Sequence, residues 1–172
     1  MAIDWREVAA KVGGLDLNGN ERTVGTDGGR RALEIILGEE NIRDAVDHFV
    51  SQLPGAFTVE MVLKIISSEI AMKRCLEIYK TEANPYRACS AVFLLGSMAD
   101  YKALSWVDEF LSDSNVAVRM NGLRVLQNIL YRPLDEEDIA TAKELLNKAE
   151  LDQDVTVRDR AASIRQHSVL HS

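Results

Sequence analysis

Histidine, cysteine and proline are all scarce in this chain: three, two and three among 172 residues. That scarcity removes most metal chemistry. His167 and His171 stand at the i, i+4 spacing that can hold zinc, but no third ligand type joins them, and His48 falls on the polar side of a helical pattern. Cys75 and Cys89 each sit among apolar neighbours, which predicts two buried free thiols and no disulfide. Pro54, Pro85 and Pro133 fall between helical patterns or at a helix start, where a missing N–H costs least. Long apolar runs are also lacking. The longest stretch without charge, Ala88 to Ala99, is well short of the roughly 20 residues of a membrane span. Basic residues are outnumbered, 20 against 27, for a net charge of −7. This opposes binding to nucleic acid or to an anionic membrane and predicts a basic protein partner. The amino terminus carries Asp4 and Glu7 where a secretory signal would be basic and then apolar, so a cytoplasmic protein is expected.

Strand alternation is absent throughout, and so are the usual catalytic patterns. GTDGGRR from Gly25 is glycine-rich, but no Lys-Ser or Lys-Thr follows as in a phosphate loop. It reads as a helix-capping loop with Thr26 or Asp27 as the cap. DLNGNE from Asp16 begins like a calcium loop with Asp16, Asn18 and Asn20, yet its Gly comes two places early and position twelve lacks Glu. No serine or cysteine has a His with an orienting acid nearby in sequence. The expectation is therefore a non-enzyme that needs no metal and no cofactor.

What the chain does have is a phrase used three times: NPYRACSAVFLLG from Asn84, SNVAVRMNGLRVLQ from Ser114 and QDVTVRDRAASIRQ from Gln153. With Arg87, Arg119 and Arg158 in register, small residues follow three places on at Ser90, Gly122 and Ala161, and apolar ones six places on at Phe93, Val125 and Ile164. The arginines are 32 and 39 residues apart, a period that fits a two-helix unit. The spacing predicts an all-α chain, a right-handed α-solenoid of about four antiparallel hairpins behind an irregular amino-terminal cap.

Residues 1–172 read as one domain, with the cap and a long loop over 1–30 and repeats over 41–170. Trp5, Val8, Ala9 and Val12 predict a short helix that Gly13-Gly14 stops, and RRALEIILG resumes helix after Gly29. Ile42, Ala45, Val46, Phe49, Val50 and Leu53 recur at steps of three and four, the mark of one buried stripe. Thr58 is expected to cap a helix to about Ser67 with Val59, Val62, Leu63 and Ile66 inward, and a further helix is expected from about Ser68 to Tyr79. Later helices begin near Ala103 and near the acidic run Asp135-Glu136-Glu137-Asp138, whose charge suits a helix amino terminus.

Two surfaces stand out as candidates for a partner. Asn121, Arg124 and Asn128, followed by Tyr131, form a polar stripe expected to face away from the core. In an array of hairpins Glu60, Lys64, Tyr86 and Ser90 would line the same inner surface. The second is acidic: Glu136 and Glu137 with Asp108, Glu109, Asp113, Asp152 and Asp154 concentrate negative charge toward the last hairpin turns. Arg87, Arg119, Arg158 and Gly122 are expected to be structural.

With these residues in view, the chain resembles HEAT-repeat proteins, in particular the short HEAT-like class of the phycobilin lyases, over about Asn41 to Leu170. Asp113, Val116, Val118, Arg119, Gly122 and Leu126 carry the resemblance most clearly, while Arg165 stands where Leu is expected and NPYR lacks the valine before its Arg. The resemblance implies a ladder of acid and arginine between hairpins, formed by Asp113 with Arg119 and by Asp152 with Arg158. It also implies several roles. No His-Glu pair of the iron-holding hydroxylases is present, and the basic channel of the glycosylases is at odds with the charge. What it leaves is an acidic protein-binding module of the immunity type that neutralises a bacterial toxin, or else an adaptor subunit or a bilin lyase subunit.

Overall fold

The computed structural model describes residues 3–168, and these form ten α-helices and one short 3-10 turn, with no strand beyond a single isolated bridge between Leu15 and Glu21. The helices are α1 Trp5–Lys11, α2 Gly25–Leu37, α3 Glu39–Val50, α4 Ala56–Ile66, α5 Glu69–Thr81, α6 Pro85–Met98, α7 Leu104–Leu111, α8 Val116–Leu130, α9 Glu136–Glu150 and α10 Val155–His167. They fall into two compact units, one reaching to Ala71 and the other beginning at Met72, so that the boundary falls within α5.

In the first unit α2 touches α1, α3 and α4, and α3 packs on α4. Its core is small: Val8, Ile42, Val46, Phe49, Val50, Ala56, Leu63, Ile66 and Ala71. The Asp4 carboxylate caps α1 through the Arg6 and Glu7 amides, and Gly13 at φ 78° ends the turn that follows. The long loop is organised by Asp16, which accepts from the backbone of Asn18 and Asn20 and from Asn20 Nδ2 at 2.8 to 3.0 Å. Those bonds, the Asn20 side chain first, hold the Asp16 carboxyl below its usual range.

Several sequence expectations change here. Helix α2 starts at Gly25 rather than after Gly29, and neither Thr26 nor Asp27 caps it; the N-cap is Val24, with no side-chain bond. Of the three glycines in that stretch Gly28 serves packing, since a Cβ there would lie 2.3 Å from Cβ of Val24, whereas Gly25 and Gly29 have open space. Helix α4 starts two residues before Thr58, behind Gly55 at φ 93°, so Thr58 lies inside the first turn and is exposed. Val62, expected inward, is 44% exposed, and Leu53 is likewise outside the core. The helix expected from about Ser68 is α5, and Ser68 Oγ accepts from Ile70 N and Ala71 N at its start.

In the second unit α8 is the centre. It packs against α6, α7 and α10, while α9 packs against α7 and α10. The first helices of consecutive hairpins, α7 and α9, therefore meet, as do the second helices α6, α8 and α10. The uncharged run noticed in the sequence forms α6, which packs on α8 and buries Ala88, Ala91, Val92, Leu94, Leu95 and Met98. No helix among the described residues is long and apolar enough to cross a membrane. Cys75 is buried and Cys89 half-buried, both as free thiols.

Candidate functional site

The three arginine phrases form three helix starts, but the register differs from the one the arginines suggest. Asn84, Asn115 and Asp154 are the N-caps of α6, α8 and α10, accepting from the amides of Tyr86, Ala117 and Thr156. Two residues before each cap an acid braces it: Glu82 accepts from Asn84 N, Asp113 from Asn115 N and Asp152 from Asp154 N. Counted from these caps, Arg119 and Arg158 are four residues on and Arg87 only three. The buried small residues are then Ala91, Gly122 and Ala161, and the buried apolar ones Leu94, Val125 and Ile164. Ser90 and Phe93, which the arginine alignment selects, are half-buried. One residue is missing between cap and arginine in NPYR. A helix turns about 100° per residue, so Arg87 is rotated away from the position of Arg119, which Ala88 occupies instead.

The arginines consequently do different work. Arg119 is 4% exposed; its Nε and Nη2 grip both oxygens of Asp152 at 2.7 and 3.0 Å, and its Nη1 donates to the carbonyls of Asp113 and Ser114. Arg158 donates to the carbonyls of Asp152 and Gln153. Arg87 pairs through Nε with Glu82 Oε2 at 2.6 Å and holds the Glu82 carboxyl below its usual range. The implied ladder of Asp113 with Arg119 and Asp152 with Arg158 is thus displaced by one repeat. Arg119 and Arg158 each meet their own turn through backbone carbonyls, and the carboxylate of Asp152 belongs to the preceding repeat's arginine. Asp113 Oδ2 instead accepts from Tyr79 OH at 2.9 Å. The Tyr79 ring stands edge-on to Phe110 at 5.0 Å, and burial followed by the Asp113 bond pushes its phenol far up.

Most of the predicted acidic surface is engaged in this way. Asp108 pairs with Lys148 at 2.6 Å and Glu109 with Lys80 at 3.0 Å. Asp152 is gripped by Arg119, and the cap Asp154 is held low by its bonds to Thr156, side chain first. The polar stripe is likewise occupied. Asn121 Nδ2 donates to the Cys89 carbonyl at 3.2 Å, and Asn128 Nδ2 to that of Ala99 at 3.2 Å. Arg124 donates to the buried Ser97 hydroxyl at 2.8 Å while its guanidinium lies 3.9 Å from the centre of the Phe93 ring. These three side chains are half-buried and join α8 to α6, whereas the stripe was expected to face away from the core.

What stays open is the turn between α8 and α9. Tyr131 is 67% exposed, and its hydroxyl accepts from Gln127 Nε2, which Arg160 holds through the Gln127 amide oxygen. A few residues on, Asp135 caps α9 through Asp138 N, and Glu136 and Glu137 are exposed in the first turn. Among the described residues neither glutamate has an ion pair. Burial first, then the charges of Asp135 and Glu137, raise the Asp138 carboxyl. Tyr86 is 82% exposed at the start of α6. Glu60, half-buried, and Lys64, exposed, belong to α4 of the first unit, apart in the chain from the other candidates. His171 lies outside the described residues, and His167 Nδ1 is 2.8 Å from the Ser163 carbonyl. Among the described residues no three His, Cys, Asp or Glu side chains are grouped to hold a metal ion. No protein-family model, curated protein or solved structure matches the chain.

Proposed function

We propose that the chain is a non-catalytic protein-binding module, an acidic inhibitor of the immunity type that covers the basic active site of a toxin in the cytoplasm. The observation that carries this reading is the α8–α9 turn, where the exposed Tyr131 is followed in the chain by the exposed Glu136 and Glu137, neither of which has an ion pair among the described residues. Such an edge draws a basic surface by long-range attraction and supplies an aromatic anchor once contact is made. The net charge of −7 points the same way. The contacts of α6 with α8, α8 with α10 and α7 with α9 are those a HEAT-like solenoid requires of its scaffold, taken here as right-handed. Neither metal nor cofactor enters this mechanism, because steric cover needs no chemistry.

The test is affinity capture from the source cell with two baits, the wild-type chain and a variant carrying Tyr131→Ala, Glu136→Lys and Glu137→Lys. A basic protein retained by the first bait and lost by the second, with association that slows as salt is added, is the expected result. Equal capture by both baits, or a partner without excess positive charge, overturns the reading.

A further inference from the structure

The cap register leaves one level of the second unit without its arginine. Counted from the caps, Ala88 of α6 stands where Arg119 stands on α8, and Asp113 stands where Asp152 does, two residues before the next cap. At the later level the guanidinium of Arg119 joins two successive turns, through both oxygens of Asp152 and through the carbonyls of Asp113 and Ser114. By the same count the corresponding acceptors at the earlier level are the carboxylate of Asp113 and the carbonyls of Glu82 and Ala83. The methyl group of Ala88 cannot reach them. Between the two turns there is instead a cleft of about 370 Å³ whose wall includes Ala88, Asp113, Glu82 and Ala83. All of it lies within the second unit.

The acceptors of this cleft have capacity to spare. Asp113 Oδ1 accepts from Asn115 N at 2.7 Å and Oδ2 from Tyr79 OH at 2.9 Å, one donor per oxygen, where a carboxylate accepts about four in all. Among the described residues neither the Glu82 nor the Ala83 carbonyl accepts a backbone bond. Tyr79 is the counterpart of Phe110 by the same count, so its hydroxyl supplies one neutral donor where the next level has a charged fork. No cation faces Asp113. Arg87 is held by Glu82 at 2.6 Å and Lys80 by Glu109 at 3.0 Å, while Arg119 meets Asp113 through its carbonyl and gives its charge to Asp152. Among the described residues Asp113 has no ion pair.

We propose that this cleft binds the guanidinium of an arginine carried by a protein partner, which completes at the earlier level what Arg119 does within the chain at the later one. A carboxylate flanked by two carbonyls fits a planar fork of N–H donors, so the cleft selects arginine over lysine. It also selects a side chain over the free amino acid, because Lys80 in its wall is engaged by Glu109 and leaves no cation to recognise an α-carboxylate. Alone the contact is weak, with a Kd on the order of 1 mM or above, and it adds to whatever else the partner buries. No residue of the α8–α9 turn takes part, so the site stands whether or not the partner is a toxin.

The experiment is a titration of the full chain with N-acetyl-L-arginine methylamide from about 0.1 to about 100 mM at constant ionic strength, followed by backbone amide NMR shifts. Saturable shifts should appear at Ala83, Ala88 and Asn115. The matching lysine compound should bind at least about fivefold more weakly, and free L-arginine should also bind more weakly than the blocked compound. Asp113→Asn, which keeps an acceptor for Asn115 N and Tyr79 OH but loses the charge, should weaken binding by about tenfold. Ala88→Arg should supply the guanidinium from within the chain, abolish the response and melt no lower than the wild type. Absent shifts at those amides, a lysine compound that binds equally well, or an Ala88→Arg chain that still responds overturns the site. So does an Ala88→Arg chain that melts well below the wild type, because the cleft would then not have the shape of the Arg119 site. Tighter binding of free L-arginine overturns the protein side chain as the occupant. None of these changes touches Tyr131, Glu136 or Glu137, so a failed cleft and a failed partner surface are separate results.

Discussion

Arg119 holds Asp152 in a bidentate grip across 33 residues of sequence, with the arginine 4% and the aspartate 9% exposed at the side chain. Both the α8 turn and the α10 turn depend on this pair. The guanidinium ties down two carbonyls where α7 ends and α8 begins, and the carboxylate it neutralises braces the cap of α10. Removing one partner of a buried ion pair leaves the other desolvated and unpaired.

Arg119→Ala should therefore cost about 3 kcal/mol or more, a large part of the stability of a domain this size. Arg119→Lys should recover only part of it, since an ammonium cannot make the fork. Arg87→Ala should cost less, because that side chain is 35% exposed and a solvated pair contributes little. Urea denaturation of the three variants measures the order, and equal losses at positions 87 and 119 would count against the displaced register.

Acid should weaken the fold through Asp152. Burial pushes its carboxyl up, but the Arg119 bond, the Asp154 amide and the Arg119 charge together draw it below the usual range. A carboxyl with a lowered folded value stabilises above its unfolded pKa of about 3.9 and loses that contribution as pH falls through the folded value. Asp152→Asn should lower stability at pH 7 and flatten its fall below about pH 4. Asp138 has the opposite sign. Its raised carboxyl weighs against the fold near neutrality, and Asp138→Asn should relieve that. Denaturation midpoints at neutral and acid pH separate the two.

Two helical glycines should respond differently to a methyl group. A Cβ on Gly122 would lie 2.8 Å from the Cβ of Phe110, where α7 and α8 approach each other. A Cβ on Gly96 would lie 3.0 Å from Arg124 Cγ, a contact that a shift of a few tenths of an ångström relieves. Alanine is intrinsically the better helix former by about 1 kcal/mol. Gly96→Ala should thus be near neutral, Gly122→Ala should lose about 1 to 3 kcal/mol, and Gly122→Leu more. Thermal melts of the three variants decide it.

The α8 stripe can be tested as structure. Asn121→Ala removes a bond to the Cys89 carbonyl and should cost about 1 kcal/mol. Arg124→Ala loses both the Ser97 bond and the stacking on Phe93 and should cost more. Tyr86→Ala, at a side chain 82% exposed, should leave the melting temperature unchanged. Equal neutrality at all three positions would return the stripe to the surface.

The helices were legible because their signals are local. Steps of three and four and the acidic start of α9 each act within one turn, so residue spacing alone predicts them, whereas the caps Asn84, Asn115 and Asp154, equally local, were passed over in favour of the arginines. The repeat was legible for the same reason, though the most conspicuous residue misled: aligning on arginine set Ser90 beside Gly122, whereas aligning on the caps sets Ala91 there.

The fate of the polar residues depended on the tertiary structure. A stripe of Asn121, Arg124 and Asn128 has the same spacing whether it meets water or a neighbouring helix, and only the packing of α6 on α8 supplied Cys89, Ser97 and Ala99 as its partners. Likewise Asp108, Glu109 and Asp152 count as acids in the composition, but Lys148, Lys80 and Arg119 reach them from far along the chain. Charge and periodicity are properties of the sequence. Which charges are left to face solvent follows from long-range contacts: Tyr131, Glu136 and Glu137 were candidates in the sequence already, but that they stay exposed while the neighbouring acids are paired, and that α4 has an exposed apolar face, could be seen only in the folded chain.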